Sequence, residues 1–455
     1  MPNALDGLNG LAEYCTSTLD EHNCPSVSVA VVEHGEVVLA EAHGLADVTA
    51  LRPATPETAY ALASIAKPMT ATAICVAADQ GLLDLDAPVP VPGDPDWPAP
   101  TVRQLLQHRG GFGAHYDFHY ADGPGDGVRI DATPYAFLHR PPGTAFEYAN
   151  LGYRALGHLL EAATGQGLAD FVRERVFEPL GLTALHLGPA HPGPAPRATR
   201  CTSDGRPYPP YCDTSHPGAT LGWAPAAQLA LFAQSYDRLL KPETAAAVRA
   251  ASPVNPSLGY GLGWCLSRGA GPLVQSHGGG MGGVAAIVVT VPEQHLSVSV
   301  LTNSTDKAAR DRITHHVLDT LVPGFSPESI SPFTDDPVRP PNLPAADWRG
   351  SISTPEGDIP MSLTLTPEDN RARLHLNGES ADARTSASQA WALQATFPLQ
   401  LPTADARINS PALSLHLRHD HGGHSLSGVA RAHKSGDTEG LLGNLLTHTC
   451  QLRLC

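Results

Sequence analysis

Apolar and polar positions change their period along this chain, and each change marks a different kind of element. Residues 4–22 space their apolar side chains at helical intervals, which predicts a helix. Two strand-like runs follow, Ser26–Val32 and Glu36–Ala42, around the tight turn Glu33-His34-Gly35. From 64 to about 80 the chain is apolar on nearly every side, the pattern of a helix buried at the centre of a fold. Residues 81–145 are rich in Pro, Gly and Asp, with one short amphipathic helix near Val102–His108. A long helical region runs from Leu151 to Leu180, and Val284–Val291 pairs with His295–Thr302 across Pro292-Glu293-Gln294. Strands near both ends with helices between predict an α/β domain. Its antiparallel sheet is built from the two ends, flanked by helices, with a helical region inserted.

Beyond residue 347 the period becomes two. Ile359, Met361, Leu363 and Leu365 alternate, as do Leu374 and Leu376, then Leu413, Leu415 and Leu417, and finally Leu452 and Leu454. Residues 325–346 carry six prolines and no periodicity, which is linker composition. The expected domains are therefore 1–324, a linker at 325–346, and an all-β barrel or sandwich at 347–455. A chain of 455 residues is also longer than one hydrophobic core usually organises.

Composition narrows the function classes. A net charge of -16 argues against nucleic acid or an anionic membrane as partner. No run approaches the length of a membrane span, and the N-terminal MPNALDGLNGLAEYC has no basic segment followed by an apolar one. Neither a membrane anchor nor a signal peptide is expected. Eight cysteines without a C-x-x-C pair fit reduced thiols and a cytoplasmic location; Cys201 and Cys212 could close a loop only in an exported protein. Asn303-Ser304-Thr305 is a formal glycosylation sequon. Lysine occupies only positions 67, 241, 307 and 434, so a motif that needs lysine rarely arises here by chance.

One such motif is Ser64-Ile65-Ala66-Lys67-Pro68. Proline is tolerated only in a helix's first turn, so Pro68 fixes the helix start near Ser64. Ser64 and Lys67 then share one face at the positive end of the helix dipole. A lysine at the mouth of an apolar helix is desolvated, which lowers its pKa towards a usable base for the serine. Taken alone, the pair reads equally as a helix cap and a surface lysine. It is followed, however, by Tyr148-Ala149-Asn150 and by His277-Gly278-Gly279.

With these motifs in that order, the chain resembles the serine β-lactamase-like (penicillin-recognising) family, nearest to class C β-lactamases, D-aminopeptidases and carboxylesterases. Flanking phrases agree: TVRQLLQHRGGFG at 101–113, FEYANLGYRALGHLLEAATG at 146–165, FEPLGL at 177–182, and YGLGW at 260–264. The resemblance covers residues 1 to about 320 and implies roles residue by residue. Ser64 would form the acyl-enzyme and Lys67 take its proton, while Tyr148 would shuttle protons to the leaving group. Asn150 would bond Lys67 or the substrate amide, or cap the helix that follows. The Ser64 and Gly280 N–H groups would form the oxyanion hole, with Gly279 beside them on the glycine-rich strand that approaches the substrate. His277, counted by the resemblance with the catalytic residues, stands where class C enzymes carry a charged lysine for the substrate carboxylate. It would shape carboxylate recognition more than chemistry and points to the esterase and aminopeptidase branch. The C-terminal module resembles the lipocalin-like domains attached to enzymes of that branch.

The expected function is a cofactor-free serine hydrolase of a small ester or amide. The alternative is a biosynthetic acyltransferase that passes the acyl group to an amine or alcohol. Two histidine-rich segments, His115-Tyr116-Asp117-Phe118-His119 and His419 to His424, lack metal-site spacing, so no metal is expected.

Overall fold

The computed structural model describes residues 7–93, 96–126, 129–193, 195–267, 271–330, 339–388, 390–419 and 424–455. Residues 4–6 of the first expected helix, 331–338 of the expected linker and 420–423 of the second histidine motif lie outside them.

Both ends of the N-terminal domain meet in one antiparallel sheet. Ser26–Glu33 pairs with Glu36–Asp47 on one side and with Leu296–Thr302 on the other. Val284–Val291 and then Gln275–Met281 continue the sheet, which has nine strands among the described residues. Ser26–Val32, Val284–Val291 and Leu296–Thr302 are buried on both faces, so they read as continuous apolar runs rather than alternating ones. The helices Leu11–Glu21 and Ala308–Leu321 cover one face over Val27, Val29, Val31, Val298 and Val300.

Against the other face lies the helix Ala226–Ser235, packed on Ser26–Glu33, Val284–Val291 and Leu296–Thr302. At the centre of the fold the helix Ala66–Asp79 is buried at every position from Ala66 to Ala77. Pro68 is its third residue, where no intrahelical N–H bond is lost. The helix packs on Asn150–Thr164 and Leu168–Val172, and the short 3₁₀ turn before it, Ala63–Ile65, rests on Gln275–Met281. Burial all round explains its low amphipathicity.

The C-terminal strands, from Ala346–Thr354 to Leu445–Leu454, form a closed eight-stranded barrel in sequential order. Its interior is filled rather than hollow: Trp348, Leu363, Leu374, Phe397, Leu415 and Leu452 are fully buried. The barrel is docked on the N-terminal domain. Tyr116 and Leu445 exchange backbone hydrogen bonds of 3.0 and 2.8 Å. The segment between Ser425–His433 and Leu445–Leu454 crosses over and inserts Asp437, which is fully buried. Its carboxylate accepts from Ser203 Oγ at 2.8 Å and from the Tyr208 hydroxyl at 2.7 Å.

Candidate active site

The turn that presents Ser64 is held in a costly shape. Ala63 has φ 47°, a left-handed conformation that costs a non-glycine residue about 1–2 kcal/mol. Packing enforces it: a Cβ at Gly279 would lie 1.9 Å from the Leu62 carbonyl oxygen, so only glycine lets the strand Gln275–Met281 approach this turn.

Beneath Ser64, Lys67 is fully buried. Its Nζ lies 3.3 Å from Ser64 Oγ and donates to the Ala219 carbonyl at 3.0 Å. The Tyr148 and Tyr153 rings stand 4.5 and 5.6 Å from it. Burial alone, with no carboxylate opposing it, holds the amine well below its ordinary pKa. The Tyr148 hydroxyl is hydrogen-bonded to Ser64, and burial pushes its pKa well up. Desolvation therefore acts oppositely on the two groups. It favours the neutral amine at Lys67 and the neutral phenol at Tyr148.

Two buried histidines complete the uncharged surroundings. His108 lies tilted against the Tyr148 ring with centroids 4.2 Å apart, accepts from the Ala149 N–H at 3.1 Å, and is held well below its ordinary pKa by burial and by Lys67. His277 is only 2% exposed; its Nδ1 donates to the Gly278 carbonyl at 2.8 Å, so its Nε2 accepts from the Tyr260 hydroxyl at 3.0 Å. Burial and Lys67 push its pKa down to about 3.

A cavity of about 730 Å³ opens over Ser64, Tyr148, Asn150 and Gly280. Thr220 and Lys307 line it from the catalytic domain; Lys434, Ser435, Gly436 and Leu442 line it from the barrel. The structure bears on three sequence expectations. His277 is not on the cavity wall: both ring nitrogens are engaged behind it, so it is not placed to meet a substrate carboxylate. Gly279 packs on Leu62, which leaves Gly280 as the glycine facing the cavity. Asn150 neither bonds Lys67 nor caps its helix. Ala149 is the N-cap, and Asn150 Nδ2 donates to the His115 carbonyl at 2.9 Å.

Residues missed by sequence reasoning are Ala219, His108, Lys307 and Lys434. The last two carried a signal, since three of the chain's four lysines converge on this site. Among the described residues no group of three or more His, Cys, Asp or Glu is arranged to hold a metal ion. Asp117 of the first histidine motif instead pairs with His216 at 3.1 Å and accepts from Ser215 Oγ at 2.8 Å. All eight cysteines are free, Cys201 and Cys212 included. Asn303 of the sequon is 1% exposed and bonded to Ser26, Leu45 and Thr199, so it holds strands together. No helix among the described residues is long and apolar enough to cross a membrane.

Comparison with known proteins gives a consistent frame. A family model described as Beta-lactamase matches residues 11–321. A D-aminopeptidase of Cereibacter sphaeroides is 32% identical over 171 residues, which cover 36% of this chain and 33% of that protein. Esterase EstB of Burkholderia gladioli is 32% identical over 203 residues, 38% of this chain and 50% of that protein. The matched region thus spans a third to a half of these relatives' length. The crystal structure of SurE covers 93% of this chain and 97% of its own, barrel included, with a TM-score of 0.64 at 22% identity.

Proposed function

The chain belongs to the beta-lactamase family, whose members include serine esterases and D-aminopeptidases, and from that premise we propose that it is a serine hydrolase forming an acyl-enzyme on Ser64. Its substrate is a small ester or amide. One observation carries this reading: the Ser64 hydroxyl sits 3.3 Å from a fully buried amine whose pKa burial lowers.

The steps follow from the protonation states. Neutral Lys67 takes the Ser64 proton as Oγ attacks the carbonyl carbon. The charge developing on the carbonyl oxygen is received by the N–H groups of Ser64 and Gly280, which face one cavity. Tyr148, protonated and bonded to Ser64, gives its proton to the leaving group and is reprotonated by the neighbouring Lys67, which holds the proton taken from Ser64. Water then attacks the acyl-enzyme and restores Ser64. Substrate carboxylates meet Lys307 and Lys434 on the opposite wall.

A second reading, transfer of the acyl group to an amine or alcohol, is favoured by the barrel segment that roofs the cavity, because a covered acyl-enzyme excludes water. Intact-protein mass spectrometry with activated esters tests the shared step. An adduct of the acyl mass should form on the native chain and be absent from Ser64→Ala; an adduct that persists in Ser64→Ala overturns the reading. Product partitioning separates its two branches: transfer that saturates with added amine shows an acceptor site, whereas a linear rise leaves a hydrolase.

A further inference from the structure

A second cavity, of about 690 Å³, lies beyond Ala114 and Tyr148, which line both it and the catalytic cavity. Its walls come from both domains. Arg109, Arg140 and Glu147 belong to the catalytic domain; Trp391, His416 and Arg431 belong to the barrel. Glu147 is the one acidic residue among the described lining residues, and it is shared. Arg140 Nη2 approaches it to 2.5 Å and Arg431 Nη2 to 2.7 Å.

The remaining charge is uncompensated. Arg109 donates only to neutral oxygens, those of Ser252, Pro253 and Gly143. Arg418 packs on the Trp391 ring at 4.0 Å, its pKa pushed down to about 10 by burial and by repulsion from Arg140. Two guanidiniums therefore share one carboxylate, with Arg109 on the cavity wall and Arg418 behind Trp391 adding positive charge, in a chain whose net charge is -16. His416 does not add to the charge, because burial and Arg431 hold it down to about 3.

Arginine cannot shed its proton at any ordinary pH, so its desolvation is relieved only by an anion. Arg140 is 6% exposed, and its Nε has no hydrogen-bond partner among the described residues; Arg431 Nε is in the same state. Each guanidinium thus keeps one donor with no oxygen opposite it, the kind of donor that carboxylate and phosphate oxygens satisfy.

We propose that this interdomain cavity binds a small molecule bearing a carboxylate or phosphate group, received by Arg140 of the catalytic domain and Arg431 of the barrel. The bound anion would bridge the two domains, separately from the chemistry at Ser64.

The test is thermal unfolding of the full chain with inorganic phosphate, with tricarballylate, and with chloride at matched ionic strength. At least one of the first two should raise the melting temperature saturably while chloride does not, and the better of the two identifies the anion class. Arg140→Lys keeps the charge but removes the fork, and should raise the half-saturating concentration about tenfold. Arg109→Gln, at a partly exposed position, gives a smaller shift and guards against a misfolded Arg140→Lys. Melting temperatures that follow ionic strength alone for all three salts, or midpoints unchanged in both variants, would overturn the proposal.

Discussion

On one face of Tyr148 a buried amine, Lys67, meets only uncharged rings, the Ser64 hydroxyl and one peptide carbonyl; on the other, buried guanidiniums crowd around Glu147. Both regions take cations out of water, with different consequences. A lysine pays for burial by losing its proton, which makes it a base. An arginine keeps its proton, which makes the cavity around it an anion receptor. Residue type, more than burial, decides whether a desolvated cation does chemistry or binds.

Exchanging the residue types breaks the comparison most severely. Lys67→Arg retains a cation beneath Ser64 but cannot accept its proton, so acylation by an activated ester should fall by roughly 100-fold or more. Near-native acylation in Lys67→Arg would show that position 67 acts by charge. Lys67→Met should be equally inactive yet more stable. The native lysine pKa lies below its unfolded value, so the unfolded chain binds more protons between the two. Stability of the native protein therefore rises as pH climbs from the folded value towards 10.5, and the full penalty applies below the folded value. At neutral pH, Lys67→Met should gain more than about 1 kcal/mol in denaturant unfolding, and the gain should shrink towards pH 10.5. A loss of stability at neutral pH would mean that the amine is not penalised by burial.

Tyr148 divides the two regions, so Tyr148→Phe sharpens the comparison by keeping the wall and removing only the hydroxyl. Leaving-group protonation is lost, and single-turnover acylation by an unactivated amide should slow about 100-fold. An ester with a leaving group that needs no proton should be affected far less. Equal effects on both would assign Tyr148 to positioning.

The smallest effect concerns Lys307, a cation exposed to the catalytic cavity. Partial burial and the neighbouring Arg310 lower its pKa, yet it stays exposed to water, which weakens its hold on an anion. Lys307→Ala should raise KM for carboxylate-bearing substrates by roughly threefold to tenfold and leave neutral esters unchanged. His277→Ala should show no such discrimination, because His277 lies behind the wall.

Much of this arrangement was legible in the amino-acid order. Pro68 and the unbroken apolar face of residues 66–77 locate the central helix, and Val284–Val291 is a strand at the residues its pattern predicts. The alternation after 347 gives an all-β module, but closure depends on Ala346–Thr354 pairing with Leu445–Leu454, a contact across the whole module that no local period encodes. At the site, the spacing from Ser64 to Lys67 foretells their contact, yet it suggests a lysine at the cleft mouth rather than one with no exposure. His277 occupies the expected motif, but its partner Tyr260 is fixed by tertiary packing, so its burial could not be read from neighbours in sequence. Asn150 resembled a cap because of its type; the extended backbone of Ala149 takes that position. The anion receptor was hidden for the same reason, since Arg140 and Arg431 are nearly three hundred positions apart and meet only through the docked barrel.

Lysine scarcity makes the central claim directly measurable. Lysine labelled with ¹³C at Cε gives four side-chain signals from this chain, one of which disappears in Lys67→Met. In a pH titration of the folded protein, that signal should move through its midpoint well below those of the other three, as expected for an amine neutralised by burial. If the signal assigned to Lys67 instead titrates with the others near the ordinary lysine value of about 10.4, the amine is charged at neutral pH and cannot be the base that activates Ser64.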